Sequence, residues 1–194
     1  MRFGRQPLAE PQLADGYTLR TTKPEDGRDA QQIADLLNAA FNRTFHNGRE
    51  YQQFTRNATC FNRELDLVAV ADGGRFVAYV GIPYDEYNRR GIFEPVCTHP
   101  EYRQKGLAKA LMQEGLRRLK ARGAVRVVVE TGDMVPANQL YASLGFTEKY
   151  LGHYWPPLRR YAPNAADNTP TPGSSRNSAH QLAKVGRISN CCSR

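Results

Sequence analysis

Residues 94–109 read Glu94-Pro95-Val96-Cys97-Thr98-His99-Pro100-Glu101-Tyr102-Arg103-Gln104-Lys105-Gly106-Leu107-Ala108-Lys109, and the chain runs on as Ala-Leu-Met-Gln-Glu-Gly-Leu-Arg-Arg-Leu to 119. A short strand, a turn holding one glycine and an amphipathic helix follow one another. That order gathers unpaired backbone N–H groups and the positive end of a helix dipole at one spot, which suits a phosphate. Leu107, Ala110, Leu111, Leu116 and Leu119 recur at helical spacing, Glu114 and Arg118 can pair one turn apart, and Gly123 stops the helix.

Working outward, 125–130 is an apolar run of the buried-strand type, so 92–130 forms a strand–helix–strand crossover with parallel strands. Upstream, 65–71 and 75–82 flank Asp72-Gly73-Gly74 and read as an antiparallel hairpin. A first strand is expected at 17–21. A helix starting near Lys23-Pro24-Glu25-Asp26 carries Ile33, Leu36, Leu37 and Ala40, and a second, short one covers 49–56. Residues 83–91 read as a loop. Pro136 opens a helix over 135–144, which Gly145 ends, and extended structure follows from Phe146. Pro95 cannot donate to a ladder and marks a bulge or splayed edge in a strand spanning 92–98. The order predicts an α/β (mixed α+β) fold, with one mixed parallel and antiparallel sheet covered by helices.

The 194 residues allow one ordinary domain, and 40% hydrophobic with 24% charged residues is the composition of a soluble globular protein. No apolar run approaches bilayer-spanning length, and the start lacks the apolar core of a secretory signal, so a cytoplasmic protein is expected. Cys60, Cys97, Cys191 and Cys192 show neither zinc-ligand spacing nor a secreted disulfide pattern. No metal is expected. The net charge of +8 is concentrated at the end, where residues 159–194 hold six Lys/Arg against one Asp. Nucleic-acid binding therefore ranks last among the functions considered. The expected boundaries are a polar lead (1–14), a folded domain (15–157) and a basic, disordered tail (158–194).

Arg103-Gln-Lys-Gly106-Leu-Ala108 fits Gln/Arg-x-x-Gly-x-Gly/Ala, and Thr98-His-Pro-Glu-Tyr-Arg103 precedes it; Leu140-Tyr-Ala-Ser-Leu-Gly-Phe146 follows one helix and one strand later. In this order and spacing the segments resemble the GNAT superfamily of N-acetyltransferases. Gly-Lys-Ser/Thr and the paired glycines of a dinucleotide fingerprint are missing, which excludes those two phosphate sites.

The resemblance implies a GNAT-type three-layer fold and acetyl-CoA as cosubstrate. Its pyrophosphate would lie on the N–H groups of Gln104, Lys105, Gly106, Leu107, Ala108 and Lys109, with Arg103 and Lys105 adding charge. Gly106 lets the backbone approach and Ala108 does not obstruct. The pantetheine arm would pair with Val96, Cys97 and Thr98 at a splay between strands, where a N–H near Val96 stabilises the tetrahedral oxyanion. Tyr141 matches the tyrosine that reprotonates the departing sulfur. Glu94 is the leading general base and Glu130 the alternative. The family often has an asparagine where this chain has Met134, and Asn138 is carried over as a substitute contact to CoA.

Phe45, His46, Arg49, Tyr84, Asp85, Tyr87, His153, Tyr154 and Trp155 are the expected acceptor wall. The implied reaction moves an acetyl (acyl) group to a primary amine of a small molecule or peptide, by direct attack in a ternary complex. An acyl-enzyme on Cys97 is the lesser mechanism, because alternation turns Cys97 away from Glu94 and Val96. A non-catalytic acyl-CoA sensor is the rival function. The sequence leaves a homodimer open and implies no membrane partner.

Overall fold

The computed structural model describes residues 1–4, 8–44 and 46–150. Residues Met1–Glu148 make one compact unit. The expected tail lies outside the described residues, and so do Phe45, His153, Tyr154 and Trp155 of the expected acceptor wall.

Strands β1 (Tyr17–Thr21), β2 (Asp66–Ala71) and β3 (Phe76–Gly81) form an antiparallel meander, and β6 (Val96–Thr98) joins β3 on the far side. Its hairpin turn is the expected one, with Gly73 and Gly74 both at positive φ. A second sheet holds β4 (Tyr84–Asp85), β5 (Arg90–Phe93) and β7 (Arg126–Val129), with β5 parallel to β7. The fold class is the mixed α+β one expected, but the single sheet is two. Ile92–Thr98 is not one strand: β5 pairs with β7 as far as Phe93 and β6 pairs with β3 from Val96, while the Glu94 N–H and the Pro95 carbonyl between them, joined by a cis peptide, both bond to Gly81. β4, within the predicted loop, is only two residues long and carries no periodicity to read.

Alternation along β2 assigns the two layers of helix. Val68 joins Phe76, Tyr79 and Cys97 beneath Ala30, Ile33 and Leu36 of α1 (Gly27–Phe41) and Tyr51 of α2 (Gly48–Asn57). Leu67 and Ala69 face the other core, built on Leu107, Leu111, Met112, Leu116 and Leu119 of α3 (Leu107–Ala121). α4 (Val135–Ser143) adds Tyr141 to that second core, beside Phe146. The Glu114–Arg118 pair forms as expected, at 2.7 Å.

Apolar residues of the polar lead are packed on the domain. Met1, Phe3, Leu8 and Leu13 pack on the α3 core, and Val127 N–H donates to the Met1 carbonyl at 2.9 Å. From Phe146 to Tyr150 no strand is formed. Among the described residues no helix is long and apolar enough to cross a membrane.

Gly115 lets α3 pack tightly on Ile82 and on Phe93 of β5. A Cβ there would lie 2.4 Å from Ile82 Cδ1 and 3.0 Å from Phe93 Cε1. Gly115→Ala should therefore cost about 1–3 kcal/mol despite its better helix propensity. A thermal melt unchanged or raised by the substitution would show that the contact yields.

Candidate active site

The break at Glu94-Pro95 opens one edge of β6. Before it, β5 lies against β7; after it, β6 pairs with β3, and no strand is paired to its other side among the described residues. The direction of each peptide follows from the ladder. Gly81 N–H donates to the Pro95 carbonyl at 3.1 Å, His99 N–H donates to the Val77 carbonyl at 2.9 Å, and Cys97 lies opposite Tyr79. Odd positions thus spend their backbone groups on β3. Val96 and Thr98, at even positions, turn theirs to the open side.

The N-terminus of α3 is the second component. α1 and α2 are capped by Asp26 and Asn47 side chains, whereas the Gly106 cap of α3 has no side chain to offer. The N–H groups of the first turn, from Leu107 to Lys109, are left without a side-chain acceptor. Gln104 has φ 62° and Gly106 φ 72°, so the turn needs left-handed backbone at both. Nothing lies within 4 Å of the place a Gly106 Cβ would take. An anion can reach the backbone there.

Arg103, Lys105 and Lys109 are exposed around this turn. Arg103 Nη2 donates to the Ala40 carbonyl at 3.1 Å, and Lys105 Nζ donates to the Tyr17 hydroxyl at 3.0 Å, above the Tyr17 and Tyr102 rings. Leu107 is a core anchor, 1% exposed, and contributes only its N–H.

Tyr141 is 8% exposed with its ring edge-to-face on Phe146, and its hydroxyl makes no hydrogen bond to described residues. Burial pushes its pKa up, so the phenol keeps its proton at neutral pH. Cys97 packs under α1, and burial pushes its thiol up to about 12. A thiol so held is a poor nucleophile at neutral pH. Glu94 stands in the break itself, so strand alternation no longer sets it on the face of Val96 and Thr98. Glu130 is exposed, one residue past β7. Asn138 Nδ2 donates to the Gly132 carbonyl at 3.1 Å, pinning the loop before α4, and Met134 is exposed.

Similarity to known proteins adds the family. The acetyltransferase (GNAT) family profile matches residues 30–146. The chain belongs to the GNAT acetyltransferase family. A GCN5-related N-acetyltransferase from Sphaerobacter thermophilus superposes with a TM-score of 0.61 at 27% identity, over 73% of this chain and 44% of that one. This chain thus spans less than half of that protein. An aminoglycoside acetyltransferase from an uncultured soil metagenomic sample gives a TM-score of 0.60 at 19% identity, covering 72% of this chain and 97% of the other. The ribosomal-protein-S18-alanine N-acetyltransferase of Escherichia coli gives 0.54 at 16%, covering 66% and 76%. At those identities the last two show the fold alone. No curated protein sequence matches.

Several residues expected in this GNAT domain's acceptor wall are engaged elsewhere. Tyr84 is buried against α3, its hydroxyl donating to the Arg122 carbonyl at 3.3 Å. Asp85 caps the following turn by accepting from Asn88 N–H at 3.0 Å, and Tyr87 is 94% exposed. His46 is tied to Asn38 through its backbone N–H and carbonyl, and burial lowers its pKa. Arg49 is exposed on α2.

The pocket that does adjoin the break is lined by Phe54, Phe61, Asn62, Asp66, Tyr79, Gly81, Ile82, Pro83, Glu94 and Pro95. Only Glu94 of these was singled out from the sequence as functional. Behind them Asp66 is 3% exposed and fully hydrogen-bonded. Tyr79 OH donates to Oδ1 at 2.7 Å, while Thr22 Oγ1 and Tyr51 OH both lie on Oδ2. Burial raises the Asp66 pKa, against the three hydroxyls that lower it. A readable signal existed: an aspartate directly before Leu-Val-Ala-Val, in a run otherwise of buried-strand type.

Proposed function

We propose that the protein transfers an acetyl group from acetyl-CoA to a primary amine, by direct attack while both substrates are bound. The observation that carries this reading is the uncapped α3 N-terminus at Gly106, with open space before it, in a GNAT domain. N–H groups 104–109 would hold the pyrophosphate, helped by Arg103 and Lys105. The outward backbone groups of Val96 and Thr98 would pair with the pantetheine arm, with Cys97 between them holding β6 to the core. The Val96 N–H would donate to the thioester carbonyl as negative charge grows on its oxygen. Asn138, with one Nδ2 hydrogen engaged by Gly132, would reach CoA through its amide oxygen or its second Nδ2 hydrogen.

Glu94, at the pocket next to Val96, would take the proton from the acceptor nitrogen, and the still-protonated Tyr141 would give one to the departing sulfur. Cys97 stays out of the chemistry. The superposed acetyltransferases include one for aminoglycosides and one for a ribosomal-protein alanine, so a small molecule or a peptide end both fit as acceptors. The site of action is proposed to be the cytoplasm.

The test of the base is a pair of pH–rate profiles. Glu94→Gln should lose the acidic limb of kcat/KM and Glu130→Gln should keep it. The reverse pattern would transfer the role to Glu130, and two wild-type limbs would remove both.

A further inference from the structure

Three oxygens around Asp66 form a closed triangle: Oδ2, the Tyr51 hydroxyl and the Thr22 hydroxyl, the last two 2.9 Å apart. With Asp66 ionised, two hydroxyl protons serve three contacts. One further proton, on Oδ2, closes the ring of three contacts when one hydroxyl turns its own proton to the other. In either state Oδ1 remains an acceptor, and Tyr79 OH gives it its proton at 2.7 Å. The Tyr79 oxygen is thereby fixed as a hydrogen-bond acceptor toward whatever enters the pocket.

The groups around this cluster keep it so. Tyr51 comes from α2, Tyr79 from β3 and Cys97 from β6; Asp29 of α1 acts on Tyr51, and Arg63 Nε donates to the Thr22 carbonyl at 3.2 Å. Gly81 gives the hydroxyl its room, since a Cβ there would stand 2.9 Å from Tyr79 OH and 3.2 Å from both the Glu94 carbonyl oxygen and Pro95 Cδ. The rest of the pocket is apolar on Phe54, Phe61, Ile82, Pro83 and Pro95, polar on Asn62, whose Oδ1 already accepts from Glu64 N–H at 3.0 Å, and acidic on Glu94. A lone-pair acceptor, a carboxylate and two aromatic rings together suit an ammonium group on an apolar stem. They offer few groups to a polyhydroxylated ring.

We propose that Tyr79, its proton committed to Asp66, seats the acceptor's ammonium group, and that the acceptor is a primary alkyl- or arylalkylamine. The inference rests on the acetyl-transfer reading and names the substrate class of the same site. Asp66 acts through Tyr79 as a positioning residue.

The experiment measures CoA thiol release at saturating acetyl-CoA with n-butylamine, phenethylamine, glucosamine and kanamycin as acceptors. The first two should exceed the amino sugars in kcat/KM by tenfold or more. Tyr79→Phe keeps the ring and should raise the KM of the better alkylamine at least tenfold, with kcat within about threefold and the KM for acetyl-CoA unchanged. Asp66→Asn can donate to the Tyr79 oxygen and reverse its polarity, so it should raise the same KM; if it does not fold, Tyr79→Phe decides alone. Thiol release with an unaltered amine KM in Tyr79→Phe, an equal loss in kcat, or a preference for amino sugars would overturn the inference and leave acetyl transfer standing. No release with any amine would overturn both.

Discussion

Gly106→Val should weaken acetyl-CoA binding by about a hundredfold or more while the domain still folds. Two effects add. Gly106 holds φ 72°, where a β-branched residue is strained by roughly 1–2 kcal/mol. The new side chain also occupies the open space in front of the first-turn N–H groups, where the pyrophosphate must come. Relief of strain by shifting the turn would move those same donors, so either response costs affinity. Calorimetric titration of acetyl-CoA, beside a thermal melt of the unliganded variant, separates the loss of binding from any loss of stability. Near-wild-type affinity in a folded variant would mean that the anion is held elsewhere.

Tyr141→Phe has the second large effect, and it falls on rate. The substitution removes one oxygen from a ring that stays packed on Phe146, so folding should change little. Its hydroxyl has no protein partner among the described residues to leave unsatisfied. A departing thiolate loses its proton donor, which corresponds to about 10²- to 10⁴-fold in kcat. Acetyl-CoA affinity should stay within about threefold. Because burial raises the Tyr141 pKa, the wild-type basic limb should lie above the range of an ordinary phenol, and the variant should lack it. An unaltered kcat would remove Tyr141 from the mechanism.

α3 was legible because fifteen residues carry an uninterrupted apolar stripe and a glycine stands at each end. Pro95 was legible as an interruption, since a residue with no N–H cannot extend a ladder. What it does to the sheet was not. Whether a bulge heals or the strands part depends on what β3 and β7 offer on either side, and that is tertiary.

The acceptor wall shows the same limit. Tyr84 and Asp85 have the chemistry of a binding surface, but contacts with α3 and Asn88 use them up. The Asp66 cluster draws Thr22, Tyr51, Asp66 and Tyr79 from four separated stretches, so no spacing announces it. An aspartate in an apolar strand hints that partners exist without naming them. In the lead at 1–14, Leu8 and Leu13 are too sparse to show a period, though each packs on the core.

The most direct measurement is on the reaction itself. Acetyl-CoA, the protein and a broad panel of primary amines are followed for thiol release and for the mass of the amine product. The account predicts one CoA thiol for each acetylated amine, with release dependent on the amine. Saturable binding of acetyl-CoA with no amine-dependent thiol or acetylated product across the panel would contradict it, and would make the protein an acyl-CoA-binding module of the same fold.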